Sequence, residues 1–325
     1  MIDTSSSETE KINEVWVVAA CWNEEAVICQ FIERVLLRPD VAGLVLVDDG
    51  STDSTLERVR QWQKKSGDQK NVKKVVLIEL TRNFGKEAAM LAGLDFAKDF
   101  SEAVVLIDSD LQHPPELIDE MVIAWRSGAE IVTAVRDDRD QESLFKITSA
   151  AWFYKIFNRL VDSVQLIEGA GDYRLLSAPV VEALTTMREF GRFSKGLVPW
   201  TGYRSFEISY KRVIRSGGVS SWSPIKLFSY ALDGIFSFSV LPLKIWTFLG
   251  ITVSFVSLIY ALLVILRTIV QGIDVPGYAS LIVAVLFLGG IQLIGIGVLG
   301  DYIGRVYVAA RARPHYFIRH IYNID

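Results

Sequence analysis

Cysteine and histidine are scarce in this chain, with Cys21 and Cys29 and three histidines among 325 residues. Neither cysteine has Cys or His neighbours at zinc-ligand spacing, which argues against a zinc site and fits a reduced, cytosolic domain. A basic surplus is missing too. The net charge of −4 argues against a general nucleic-acid binder, and no nucleic-acid partner is expected. The opening MIDTSSSETEK is polar and acidic, without the apolar stretch of a secretory signal, so residues 1–12 are expected to be a disordered lead. The most telling shortage is local. Residues 1–235 alternate charged and apolar segments as a globular domain does, whereas 236–304 are nearly charge-free. That stretch carries the surplus behind a 50% hydrophobic composition and a mean hydropathy of +0.30.

What is present centres on Val104–Glu116, VVLIDSDLQHPPE. Four apolar residues predict a buried strand. Asp108, Ser109 and Asp110 follow, and Pro114-Pro115 opens a helix that continues from Glu116 to Trp125. Two carboxylates just past a strand suit a hard divalent cation, and such a cation suits a nucleotide diphosphate. The same alternation runs through the first half. Strands are predicted at Val15–Ala20, Gly43–Val47, Lys73–Leu80 and Glu130–Val135, with helices at about 24–37, 54–65 and after TRNFGKEAA. This predicts an α/β fold: a doubly wound, Rossmann-like, mostly parallel sheet. The polar motifs fall just after strand ends, where open α/β sheets bind ligands.

Each loop has its own chemistry. Asn23 and Glu24 offer an amide and a carboxylate to a base or ribose. Asp53 is placed to cap the next helix. Gly85 permits a tight turn, and Lys86 can reach a phosphate or a base edge. Asp110 is the first choice of metal ligand, with Asp108 and Gln112 beside it; Asp108 can instead bind ribose or meet the metal through water. His113 reads as a loop residue or one that supports the metal ligands, not as a ligand itself. Arg136 can contact a diphosphate or sugar, or pair with Asp137 or Asp138. Residues 141–165 interleave Leu144, Ile147, Phe153, Tyr154 and Phe157 with Lys146, Lys155 and Arg159, a pattern for an amphipathic helix in the headgroup layer or for a core helix. Arg192 and Lys195 stand among aromatics, and Arg212 and Arg215 precede a glycine pair. Guanidinium forks suit the oxygens of a lipid phosphate or a diphosphate.

Two apolar runs close the chain, 245–266 and 278–300. The first spans about 33 Å as a helix, enough to cross a bilayer. Gly289, Gly290, Gly295, Gly297 and Gly300 favour close helix approach, including in a homo-oligomer. Lys226, Lys244, Arg305, Arg311, Arg313 and Arg319 flank the ends away from the short link, which puts the catalytic domain and both termini in the cytoplasm.

Together these motifs resemble the GT-A glycosyltransferases of family 2, and more narrowly the polyprenyl-phosphate glycosyltransferases of GtrB and dolichol-phosphate mannose synthase type. The resemblance runs from about Val15 through both spans. It implies that Asn23, Glu24, Asp49, Asn83, Lys86, Asp108 and Arg136 bind the nucleotide sugar, and that Asp108, Asp110 and Gln112 hold Mg2+ or Mn2+. GDYR matches the family's G-D-F-R, which puts Asp172 near the reacting sugar; Asp172 and Asp110 are the expected catalytic residues. The family's R-x-x-R-x-x-G-x-S is matched by Arg212, Arg215, Gly218 and Ser220, which with Arg192 and Lys195 are expected at the lipid phosphate. Ala20, Trp22 and Ser221-Trp222 depart from the pattern.

The expected organisation is a GT-A domain over 13–225, a juxtamembrane segment at 226–244, spans at 245–266 and 278–300, and a cytoplasmic tail over 301–325. The expected reaction is inverting transfer of a hexose, with UDP-glucose favoured, onto undecaprenyl phosphate at the bacterial inner membrane. GDP-mannose with dolichol phosphate is the second pair. A processive synthase would need a Q-x-x-R-W motif and several spans, and neither is found. A phosphosugar transferase would leave an extra phosphate on the lipid, and a non-catalytic nucleotide-sugar-binding scaffold would tolerate Asp110→Ala.

Overall fold

A computed structural model describes residues 15–67, 73–137, 155, 157–159, 161, 164–189, 192–211, 241–271 and 277–322. The chain forms two compact units, one of Met1–Ala231 with Arg313–Asp325, the other of Leu232–Ala312.

The first unit is built on one sheet. Its strands are β1 (Val15–Cys21), β2 (Val41–Asp48), β3 (Lys74–Leu80), β4 (Ala103–Leu106), β5 (Ile131–Arg136), β6 (Ala170–Ser177), β7 (Ser205–Tyr210) and β8 (Ile318–Tyr322), in the order β7-β5-β6-β4-β1-β2-β3-β8. The central strands β4-β1-β2-β3 are all parallel. Strands buried on both faces read as continuous apolar runs, as VWVVAAC and VVLIEL do. Helix α1 (Ile28–Leu36) turns Ile28, Phe31, Ile32 and Val35 to the core, the spacing of one helical face. Helices α2 (Thr55–Gly67), α3 (Lys86–Ala97) and α4 (Leu117–Arg126) complete the crossovers. Helix α3 is buried on nearly every side, and it lies so close to β1 that a Cβ on Gly93 would stand 2.3 Å from Val18 Cγ1.

The chain order reverses at β1, which has β2 on one side and β4 on the other. Such a switch point opens a crevice at the carboxyl ends of the strands. Strand β6, which follows a glycine turn, supplies the rest of that edge. It runs antiparallel to β4 with Leu106 opposite Arg174. Continued two residues, that register sets Asp172, near the start of β6, level with Asp108 beyond the end of β4. The turn itself is confined to Glu168 and Gly169, where Gly169 adopts φ +81.

Two further strands were not expected. Strand β7 pairs parallel to β5, and β8 adds antiparallel to β3 at the far edge. The second belongs to the stretch expected to be a plain tail. Helices α5 (Ala178–Thr186) and α6 (Ser194–Trp200) follow β6. Of the expected headgroup helix at 141–165, the described residues Phe157, Val161 and Val164 are buried, so this part packs as core. The rest of that helix, through Tyr154, lies outside the described residues, as does the expected juxtamembrane segment over 226–240.

The second unit contains α7 (Leu241–Gln271) and α8 (Tyr278–Ala310), both longer than the expected spans. Each is long and apolar enough to cross a membrane, over Leu243–Val264 and Phe287–Ala310, and neither window is buried. Helix α8 continues past Gly300 through an Asp301–Arg305 pair at 3.0 Å, one turn apart. Gly295 meets the Trp246 ring, its added Cβ falling 3.4 Å away, whereas Gly289, Gly290, Gly297 and Gly300 have nothing within 4 Å.

Candidate active site

Four loops converge at the carboxyl edge of the sheet. The first follows β1, where Asn23 takes φ 56 and its Oδ1 accepts the Thr52 N–H at 2.8 Å. Glu24 donates its backbone N–H to Thr55 Oγ1 at 2.8 Å. Both residues thus tie the β1 loop to the loop after β2. In that second loop Asp53 does cap: its Oδ1 accepts the Thr55 N–H at 2.9 Å at the mouth of α2.

Asp49 is nearly fully buried, and a buried carboxylate must find donors. Its Oδ1 accepts the Phe84 N–H at 2.7 Å and its Oδ2 the Gly85 N–H at 2.9 Å. Burial still raises its pKa, against the pull of those two donors. The residue expected to read the base therefore shapes the third loop, Thr81–Gly85. Gly50 helps: with φ +68, its missing Cβ leaves room for the Arg82 backbone, which that atom would meet at 2.6 Å.

Lys86, first residue of α3, extends from this loop into the centre of the edge. Its Nζ lies 2.6 Å from Asp108 Oδ1 and 2.7 Å from Asp172 Oδ2. One ammonium thus joins two carboxylates that β4 and β6 bring level. Burial works to raise both acids, but the His113 hydrogen bond and then the Lys86 charge hold Asp108 well below the carboxylate range, and the charges of Lys86 and then Lys195 lower Asp172. Burial likewise works against the ammonium, and the two carboxylates outweigh it and raise Lys86 above the ordinary lysine value.

The fourth loop is DSDLQH. Leu111 stands at φ 59, a strained conformation for a leucine. That kink lets Gln112 turn back on Asp110, its backbone N–H reaching Oδ1 at 3.0 Å and its Nε2 reaching Oδ2 at 2.5 Å. Gln112, expected as a ligand, here donates to and orients Asp110, the first choice of ligand. His113 is more than a loop residue: Nε2 lies 3.6 Å from Asp108 Oδ2, and Nδ1 is 2.7 Å from the Tyr210 hydroxyl. The neighbouring Tyr173 donates its hydroxyl to the Pro114 carbonyl at 2.9 Å. Nothing in the spacing of the sequence signalled the His113–Tyr210 pair, because β7 was not foreseen.

Among the described residues no three His, Cys, Asp or Glu side chains cluster as a protein cage for a metal. The donor set suits a cation that keeps most of its ligands from substrate phosphates and water, with one or two carboxylates from the protein. Asp110, oriented by Gln112, and Asp108 fit that description.

The remaining predicted residues divide. Arg136 ends β5, its backbone N–H donating to Gly169 O at 3.1 Å. Asn83 is exposed in the third loop. Arg192, expected at the lipid phosphate, instead gives Nη1 to the carbonyl oxygens of Met187 and Leu184, closing the end of α5. A cation just past a helix C-terminus is the signal that could have foretold this. Lys195 lies in α6, one residue past Ser194, which donates both its N–H and its hydroxyl to Glu87. Burial raises the Glu87 pKa, as does the charge of Asp172. Arg212, Arg215 and Ser220 lie outside the described residues.

Comparison with known proteins bears on the same elements. The profile of glycosyl transferase family 2 matches residues 16–184, and that of the GtrB C-terminal hairpin matches 241–306. An uncharacterised glycosyltransferase of Synechocystis sp. is 43% identical over 96% of this chain and 96% of its own length. The bactoprenol glucosyl transferase of Shigella phage SfV is 40% identical over 94% of this chain and 98% of its own. A crystal structure of glucosyl-3-phosphoglycerate synthase from Mycobacterium tuberculosis in complex with UDP matches at 19% identity and a TM-score of 0.46, over 69% of this chain and 79% of that one. With a family 2 domain followed by a GtrB hairpin, the chain is a glycosyltransferase and belongs to glycosyl transferase family 2.

Proposed function

We propose that this chain transfers glucose from UDP-glucose to a polyprenyl phosphate, with inversion, giving a polyprenyl-phosphate sugar. The observation that carries the reading is Lys86 held between Asp108 and Asp172 at the switch point of the sheet. A cation there faces the place where an open sheet binds a nucleotide, and Asp172 faces the same space from the other side. The bactoprenol relatives and the exposed apolar hairpin support a lipid acceptor.

In this mechanism Lys86 leaves its carboxylates to meet the diphosphate as the donor enters, and that exchange keeps the positive charge where negative charge develops on the leaving group. Asp108, freed on one side and still beside His113, would be open to the ribose or to the cation. Asp110 and Asp108 would hold a divalent cation, Mg2+ or Mn2+, which when bound offsets charge on the departing diphosphate. The acceptor phosphate is already anionic at neutral pH and attacks the anomeric carbon directly. Asp172 accordingly orients the sugar or acceptor and need not remove a proton. Arg212, Arg215 and Ser220, with Lys195, are assigned to the lipid phosphate.

The membrane arrangement follows the same reading. The hairpin inserts from the cytoplasmic face, so that a water-soluble donor and a lipid-borne acceptor meet at the surface. Re-entry of the chain into the sheet as β8, after two helices, supports both termini on one side. The glycines of α8 that face open space leave surface for a homo-oligomer.

The test is transfer of radiolabel from UDP-glucose to an organic-extractable lipid, using purified full-length protein, undecaprenyl phosphate and Mg2+ or Mn2+. Metal-dependent, acid-labile lipid label supports the reading. Label from GDP-mannose alone would replace the donor, and nucleotide binding without any transfer would favour a scaffold.

A further inference from the structure

The segment after the membrane helices returns to the sheet beside the loop that carries Lys86. Strand β8 pairs with β3 from Leu77–Tyr322 to Leu80–Ile318. Where β3 ends, the contact continues into the loop: Thr81 N–H donates to Phe317 O at 2.9 Å, and Arg319 Nη2 donates to Thr81 O at 2.9 Å. Arg319 Nη1 also reaches Glu79 Oε1 at 3.2 Å. The Phe317 ring lies 6.2 Å from that of Phe84. One residue earlier, the Tyr316 hydroxyl donates to Asp95 Oδ2 at 2.6 Å, late in α3, and Arg188 pairs with the same carboxylate. The segment therefore holds both ends of the unit that presents Lys86, the loop at Thr81 and the helix at Asp95. Asp49 holds the middle through the Phe84 and Gly85 amides.

We propose that residues 313–322 are a positioning strap for the donor site, with Tyr316, Phe317 and Arg319 fixing the Thr81–Gly85 loop and thereby Lys86. This rests on the reading of the sheet edge as the nucleotide-sugar site. Beyond its pairing with β3, the segment supplies backbone and side-chain partners at Thr81 that fix the start of the loop. The strap begins almost directly where α8 ends at Ala310. The hairpin is thus covalently continuous with the element that shapes the donor loop.

The experiment uses full-length protein and the variants Phe317→Ala and Arg319→Ala, with Phe317→Leu and Arg319→Lys as conservative partners. Gly128→Ala is the control, because Gly128 lies in the turn between α4 and β5, with positive φ of +103 and nothing within 4 Å of an added Cβ, away from both the strap and the Thr81–Gly85 loop. Hydrogen exchange of the Phe84 and Gly85 amides reads the strap directly, independent of any substrate. Those amides should exchange about tenfold faster in the alanine variants and return toward wild type in the conservative ones. The dissociation constant for UDP and the KM for UDP-glucose should rise about tenfold, the effect of one lost hydrogen bond, with the KM for polyprenyl phosphate unchanged. Gly128→Ala should lower Tm and move none of these. Unchanged exchange at Phe84 and Gly85, or faster exchange with unchanged UDP affinity, would overturn the strap. A wild-type protein that binds no UDP would overturn the donor-site reading instead, while the exchange result would still decide whether the strap holds the loop.

Discussion

Lys86 Nζ and Asp172 Oδ2 stand 2.7 Å apart across 86 residues of chain. The same ammonium is 2.6 Å from Asp108, so one lysine serves two half-buried acids brought level by the antiparallel pairing of β4 and β6. Removing it leaves two like charges facing one space. Lys86→Ala is expected to lower kcat/KM for transfer about 100-fold or more, the effect of losing one preorganised group at a developing charge. Lys86→Arg should recover part of it. Steady-state kinetics with the donor varied is the check, and a tenfold or smaller loss would mean that the lysine is only a structural tie.

The same triad sets a pH dependence. Burial alone would raise Asp172, and Lys86 and Lys195 keep it below the carboxylate range. A depressed acid stays ionised as pH falls, until its own low pKa is reached. In the wild type no acid limb from Asp172 should therefore appear between about pH 5 and 7. In Lys86→Ala, burial and the Asp108 charge act unopposed by that ammonium, so an acid limb should move up into this window. A pH profile of kcat/KM for both proteins decides it; identical acid limbs would refute the account.

How much of this was legible beforehand depends on whether a feature is local. The DDGSTD, TRNFG and DSDLQH loops stood out because each follows a short apolar run and carries turn-forming or acidic residues in sequence. Asp53 could be assigned as a cap from its neighbours alone. Strand β6 was missed because AGDYRLLS opens with a glycine and an acid, and only its pairing with β4 and β5 makes it a strand. Strand β8 pairs with residues some 240 positions earlier, as its Tyr322–Glu79 bond shows, and no local pattern announces such a partner. The hydrogen bonds of Asp49, Gln112 and Arg192 were not foreseen for one reason. A buried polar group must satisfy its hydrogen bonds, and which backbone it will find is a property of the folded loop.

Asp53 offers a stability prediction with a definite sign. Its carboxylate accepts the Thr55 N–H and hydroxyl and the Glu25 N–H. Burial opposes the charge slightly, and those donors prevail and lower its pKa. A depressed carboxylate contributes stability above its unfolded pKa and loses it as pH falls through the folded value. Asp53→Ala should cost about 1 kcal/mol near pH 7, the usual loss of a helix-end cap. The deficit should shrink below about pH 4, where the wild-type group also protonates. Thermal unfolding in detergent at both pH values checks this; an equal deficit at both would assign the loss to packing.

Gly50 tests whether the loops after β2 and β3 must touch. Its φ of +68 is costly for any residue with a Cβ, and the added atom would lie 2.6 Å from the Arg82 carbonyl carbon and 2.7 Å from the Asn83 nitrogen. Both obstacles are backbone, so no side chain can swing aside. Gly50→Ala must therefore push the Thr81–Gly85 loop away from Asp49, loosening the Phe84 and Gly85 amides from its carboxylate. A stability loss of about 2 kcal/mol is expected, from strain and overpacking together. Gly128 is the matched comparison: it also has positive φ, +103, but nothing within 4 Å of its added Cβ. Gly128→Ala carries the conformational cost alone and lies away from the edge, so it should lower Tm by less and leave UDP affinity unchanged. Gly50→Ala should weaken UDP binding as well, and equal behaviour of the two variants would show that the contact between the loops does not shape the donor site.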